Sequence, residues 1–187
     1  MQRSKIDVYD LVTPTFGIWD KTWFVLTVGD AATKPAAKPT AEPGGRPFNS
    51  MTISWGGLGF IWGRPLAMVL IRPQRYTFEF MERGSDFTLC AFGEAQRAAV
   101  NLIGTKSGRE TDKIAASGLT PITLPGIRSP GFAEAELILS CRKSYWQDMD
   151  PKHFLADYIE PLYRGDYHRM YFGEIVAIEG TSSWRRQ

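Results

Sequence analysis

The feature that most constrains this chain is the kind of segment that separates its strand-like runs. Residues 23–28 (WFVLTV), 48–55 (FNSMTISW), 66–72, 86–92 (DFTLCAF), 134–146 and 170–178 (MYFGEIVAI) are β-branched, aromatic or continuously apolar, and read as strands. Helical spacing appears only in short stretches. These are 75–83 (RYTFEFMER), 94–103 (EAQRAAVNLI), 111–117 (TDKIAAS) and 152–158, stopped by Gly84, Gly104 and Gly118 in the first three cases and opened by Asp150 and Pro151 in the last. A doubly wound parallel sheet needs a long crossover helix between successive strands, and this order does not supply one. The residues instead predict a mainly β, mostly antiparallel closed barrel with short peripheral helices. Residues 56–65, rich in glycine, read as the connection between two strands, and no internal repeat is present.

At 187 residues the chain is expected to form one domain, 1–187. Residues 30–46 carry Pro35, Pro39, Pro43 and two adjacent glycines, with little to bury, and are expected to form a mobile loop within it. A net charge of +2 is too balanced for a dedicated nucleic-acid binder. The longest apolar run, 65–71, is far below the ~20 residues of a membrane helix. Residues 1–10 are polar rather than a charged-then-apolar leader, so a cytoplasmic setting is expected, with Cys90 and Cys141 reduced and buried.

Self-sufficient catalytic motifs are missing. There is no HExxH, CxxC, GxSxG or GxxxxGK[ST]. Gly57, Gly59 and Gly63 have one residue too many for a dinucleotide fingerprint, and the two histidines, His153 and His168, are too few for a zinc site. No metal is expected, and the gap favours a bound cofactor that carries the chemistry. Three segments suit one. The first is the strand 48–55, with Asn49, Thr52 and Ser54 as polar groups beside Trp55, fit either for the edge of a heteroaromatic ring or for solvent. The second is 71–77 (IRPQRYT), where two arginines and Thr77 at a helix start suit a phosphate or simply face water. The third is 104–113 (GTKSGRETDK), a small-residue turn with Ser107, Gly108, Arg109 and Lys113 that suits a phosphate or forms a solvated loop.

Taken in order and spacing, FNSMTISWG, RPLAMVLIRPQRYTFEF, TLCAF, GTKSGRETDK, SGLTP, AEAELIL and DYHRMYFGEI resemble the flavin reductase-like family of FMN-binding split barrels, flavoredoxins among them, from about Trp19 to Ile178. The resemblance implies a homodimer of Greek-key split β-barrels, each holding FMN non-covalently near the subunit interface. It puts cofactor contacts on Asn49, Met51, Thr52, Ser54 and Trp55, on Arg72, Arg75, Tyr76 and Thr77, and on Ser107, Gly108, Arg109 and Lys113. It places the family's histidine at His168, as a proton supplier or as a packing residue. Trp146, Tyr163, Tyr167 and Trp184 are the aromatics expected at a two-fold interface. Two departures from the family pattern stand out, a longer Pro-rich segment and a chain that ends soon after Trp184.

The function implied is an FMN-dependent oxidoreductase. It would move hydride or electrons from NAD(P)H, a transient donor, or from a protein donor to flavin, ferric iron or a protein acceptor. A flavin carrier without its own nicotinamide turnover is the alternative, discriminated by NAD(P)H oxidation with excess free flavin.

Overall fold

The computed structural model describes residues 2–30 and 47–186, so the Pro-rich segment lies almost wholly outside the described residues. Its strands in chain order are β1 (Ser4–Lys5), β2 (Phe24–Gly29), β3 (Phe48–Ile53), β4 (Gly56–Ile61), β5 (Arg64–Ile71), β6 (Asp86–Ala91), β7 (Pro121–Ile122), β8 (Gly131–Phe132), β9 (Leu137–Asp148) and β10 (Arg169–Gly180). The helices are α1 (Tyr76–Arg83), α2 (Arg97–Thr105) and α3 (Lys113–Ser117). The main sheet runs β3-β2-β6-β9-β10-β5-β4, with β1 added beside β10, and every pairing is antiparallel.

The two outer strands of that order, β3 and β4, are consecutive in sequence and only Ser54 and Trp55 lie between them. Two residues reach less than ~10 Å, so the sheet must curl until its edges meet at that corner. The edges are not hydrogen-bonded to each other, which makes the barrel split, and the corner of the split is where Trp55 stands. Strand alternation then sorts the side chains. Phe24, Leu26, Met51, Ile53, Val69, Phe87, Leu89 and Leu139 fill one core inside the barrel, capped by Phe80 and Met81 of α1. Val25, Phe48, Cys90 and Ile138 point the other way and are covered by Val100 and Ile103 of α2, Ile114 of α3 and Phe132.

Several expectations change. Residues 56–61 are a strand, not a connection: β4 pairs with β5 from Gly56↔Val69 to Ile61↔Arg64 around a two-residue turn, Trp62 and Gly63, both at positive φ. Its backbone pairs, while its glycines offer few side chains that would announce a strand. The polar face read on residues 48–55 also divides. Asn49 shares the inner parity of Met51 and Ile53, whereas Thr52 faces α2, and Ser50 and Asn49 are both buried. Helix α2 passes through Gly104 to Thr105 instead of stopping there; a Cβ at Gly104 would lie only 3.0 Å from Thr52, so the glycine serves the close packing of helix on strand and not a helix end. The expected helix at 152–158 is one 3-10 turn, Pro151–His153, capped by Asp150; Phe154 then leaves it and its ring stacks on Tyr163. Trp184 is buried in the barrel core and Tyr163 is also buried, so neither is an open interface aromatic. Both cysteines are free and buried, and burial pushes the Cys90 thiol up to about 12 and raises Cys141 as well. Among the described residues no helix is long and apolar enough to cross a membrane.

Candidate functional site

β3, the start of α1 and the loop between α2 and α3 line two open pockets that adjoin at Gln74 and Arg75, the two lobes of one cleft. One lobe, about 330 Å³, is lined by Met51, Thr52, Ile53, Ser54 and Trp55 from the end of β3, by Leu70 and Arg72, and by His168. The other, about 300 Å³, is lined by Tyr76 and Thr77 at the start of α1, by Gly104 to Arg109, and by Lys113. Gln74 and Arg75 belong to both and join them. Each lobe falls at the small end of the ~300–1,000 Å³ of small-molecule sites. The structure therefore brings every expected site residue to this one cleft except Asn49, which stands directly behind the second lobe.

The second lobe is shaped for an anion. Pro73 and Gln74 turn the chain after β5, and α1 starts at Tyr76, its N-cap Arg75 giving it no side-chain cap. The Tyr76 and Thr77 N–H groups thus have no intrahelical acceptor and carry the positive end of the helix dipole. Thr77 is buried, and its hydroxyl accepts from Asn49 Nδ2 at 2.7 Å, which leaves its own proton for a ligand. Gly108 completes the wall. A Cβ there would lie 2.3 Å from Asn49 Oδ1, so only glycine lets this loop close on β3.

The cations are more constrained than the sequence suggested. Arg109 donates to Glu79 and to the Gln74 carbonyl, with its guanidinium 4.9 Å from the Tyr76 ring centroid. Arg75 donates to the Gly104 carbonyl at 3.0 Å, and burial with Arg72 nearby holds its pKa below the usual guanidinium value. Lys113 is 2% exposed and donates to the carbonyls of Ile103 and Lys106 at 3.0 and 3.1 Å. It caps the end of α2 and lines the lobe rather than reaching into it as a mobile charge.

The first lobe is flatter and less charged. Trp55 is 39% exposed and its ring lies 5.0 Å from that of His168. Thr52 donates its hydroxyl to the Val100 carbonyl, so what it offers a ligand is backbone. Arg72 donates to the Leu162 carbonyl at 2.9 Å and sits 5.2 Å from the Tyr163 ring centroid. His168 Nδ1 is 2.9 Å from Tyr163 Oη. Burial first, then the charge of Arg72, lowers the His168 pKa from 6.5 to about 4. The imidazole is neutral near pH 7, so its part is a hydrogen bond and not a ready proton.

Gln74, Gly104, Thr105, Lys106 and Leu70 line the cleft without having been singled out from sequence. All but Leu70 sit inside the two turn segments, where the anion-ready composition was the available signal. Tyr163, read only as an interface aromatic, belongs to the site through His168. Among the described residues no group of three or more His, Cys, Asp or Glu could hold a metal.

Comparison with known proteins agrees with this architecture. Solved structures that superpose on the chain include an FMN-binding domain of a flavin reductases-like enzyme from Shewanella baltica OS155, at 15% identity, a TM-score of 0.64, 96% of this chain and 77% of that one. A flavoredoxin of Desulfovibrio vulgaris (Miyazaki F) has 19% identity and a TM-score of 0.63 over 92% and 73%. An FMN-binding protein from Thermus thermophilus, with bound 1-cyclohex-2-enone, has 18% identity and a TM-score of 0.62 over 97% and 87%. At these identities the likeness is one of fold, and it is the split-barrel fold. No curated protein matches the sequence. The family described as flavin reductase like domain matches residues 21–185, nearly the whole chain, and the chain belongs to that family.

Proposed function

We propose that this chain is an oxidoreductase that binds FMN non-covalently in the two-lobed cleft, with the terminal phosphate at α1 and the ring system against Trp55. The observation that carries the reading is the convergence, in one lobe, of the uncapped start of α1, a spare Thr77 hydroxyl proton and the Arg75 guanidinium. That donor set suits one terminal phosphate, and the flat lobe joined to it at Gln74 and Arg75 suits one planar ring. When bound, FMN supplies the capacity to take a hydride and pass electrons on.

The chain's own residues bind and orient. Arg75, Thr77 and the N–H groups of Tyr76 and Thr77 hold the phosphate, with Ser107, Gly108 and Arg109 closing over it. Backbone groups of Met51 and Thr52, with the Ser54 hydroxyl, meet the ring edge, and Trp55 flanks it. The donor is NAD(P)H or a protein, and the acceptor is free flavin, ferric iron or a protein. The working form is a homodimer in a cytoplasmic setting, and nothing in the charge balance calls for nucleic acid as a partner.

Titration with FMN and FAD, followed by visible spectroscopy, tests the binding. The reading requires FMN to bind and to bind more tightly than FAD; absence of FMN binding overturns it. NADH and NADPH oxidation with excess free flavin then separates a reductase, which turns over, from a carrier, which binds flavin without turnover.

A further inference from the structure

His168 has two ring nitrogens in different surroundings. Nδ1 meets Tyr163 Oη at 2.9 Å. Nε2 makes no hydrogen bond within the described residues and is not among the buried unpartnered atoms, so it keeps solvent access on a residue that lines the first lobe. Tyr163 is itself held by two neighbours. Phe154 stacks on its ring at 5.8 Å and 19°, the Arg72 guanidinium lies 5.2 Å from its centroid, and Arg72 also grips the carbonyl of Leu162. Its ring is therefore fixed in place.

That hydroxyl carries one proton and has two acceptors in reach, His168 Nδ1 at 2.9 Å and Met149 Sδ at 3.4 Å. A thioether sulfur is a weak acceptor and an imidazole nitrogen a good one. The proton goes to Nδ1, which leaves the imidazole proton on Nε2. We propose that Tyr163 is a positioning residue that locks His168 in the Nε2–H tautomer, presenting a neutral donor to an acceptor atom on the edge of the planar group bound beside Trp55. Because the donor is uncharged, it favours electron density at that edge without giving up its proton. The tautomer rests on the geometry of the Tyr163 hydroxyl together with a neutral imidazole, and its action on a flavin ring rests on the function proposed above.

The test uses the full chain, first without flavin. Long-range ¹H–¹⁵N correlation, with His168 assigned by its loss in His168→Gln, is expected to show a protonated Nε2 and a pyridine-like Nδ1. A protonated Nδ1 overturns the proposal. Tyr163→Phe keeps the stacked ring and removes only the hydroxyl. It is expected to move both ¹⁵N shifts toward tautomer-averaged values and to weaken FMN binding by about two- to threefold, less than the loss of a whole hydrogen bond, because the Nε2–H tautomer is depopulated and not abolished. Unchanged shifts in a folded Tyr163→Phe overturn the lock, and if that variant does not fold, the wild-type spectrum decides alone. A wild-type chain that shows the Nε2–H pattern but takes up no FMN supports the lock and refutes the flavin reading, so the two fail separately.

Discussion

Asn49 donates its side-chain amide to the Thr77 hydroxyl over 2.7 Å, both residues are buried, and the bond ties β3 to the first turn of α1. It also leaves the Thr77 hydroxyl proton available to the lobe proposed for the phosphate. The bond depends on a third position, because a Cβ at Gly108 would lie 2.3 Å from Asn49 Oδ1 and 3.1 Å from the Tyr76 ring. Gly108→Ala is therefore expected to push Asn49 off Thr77 and open the loop. FMN affinity should fall at least tenfold in an equilibrium titration, with Asn49→Ala showing a loss of the same order. Affinity within twofold of wild type in Gly108→Ala would show that the loop can shift without disturbing the donors.

Arg75 and Lys113 look alike in sequence and differ in place. Lys113 is buried against the last carbonyls of α2, so Lys113→Ala strands them and removes charged hydrogen bonds worth about 1.5–3 kcal/mol. At roughly 2–4 °C per kcal/mol for a domain of this size, Tm should drop by about 3–12 °C. Arg75→Ala is expected to cost less stability, since that side chain is only half-buried and makes one such bond, to the Gly104 carbonyl. It should weaken FMN about tenfold and leave riboflavin, which has no phosphate, nearly unaffected. Melting curves and flavin titrations on both variants separate the two roles. Equal Tm losses would contradict the assignment.

What the sequence revealed follows from where each signal resides. β2, β5, β6, β9 and β10 announce themselves because buried strands must be filled with β-branched and apolar side chains. β4 does not, because Gly56, Gly57 and Gly59 form a strand through backbone pairing with Met68 and its neighbours, and its turn uses Trp62 where asparagine or glycine is usual. The site segments were legible as turns with donors, and their order carried the family resemblance. What each donor already holds was not legible: the grip of Lys113 on Ile103 and Lys106, or of Thr52 on Val100, exists only once α2 is laid across β3. Tyr163 was invisible as a site residue because its link to His168 spans an irregular turn that no period predicts.

His168 gives a pH signature with a definite sign. Its folded-state pKa is about 4 against an ordinary 6.5, the result of burial and then of Arg72. Between those values the unfolded chain binds the proton and the folded chain does not, so this residue's contribution falls as pH drops from about 6.5 to about 4 and is flat above. Wild-type Tm should therefore decline more steeply across that window than Tm of His168→Gln, which has nothing to titrate there. Parallel curves would mean that the imidazole is protonated in the fold. FMN binding and reduction should show no His168 ionisation between pH 6 and 8.

Trp62 is, with Trp23, one of two non-glycine residues at positive φ among the described residues. It stands at φ 55° in the β4–β5 turn, a conformation bulky side chains rarely take, and it is 63% exposed. Its ring meets Tyr145 edge-on at 5.9 Å, and Tyr145 meets Phe172 at 5.7 Å. If the chain is a homodimer, as proposed above, this strained and exposed aromatic cluster is the face expected to lie in the contact. Trp62→Asn suits the turn, since asparagine tolerates positive φ, and regains about 1 kcal/mol of backbone strain. It loses one aromatic contact worth about 0.5–1.5 kcal/mol, so the fold of each chain should be nearly as stable as before. The assembly should not be. Sedimentation is expected to give twice the 21.0 kDa chain mass for wild type and a single chain for Trp62→Asn at the same micromolar concentration. A wild-type chain that sediments at 21.0 kDa while holding FMN would remove the dimer from the account, and a dimer that survives Trp62→Asn would move its contact to another face.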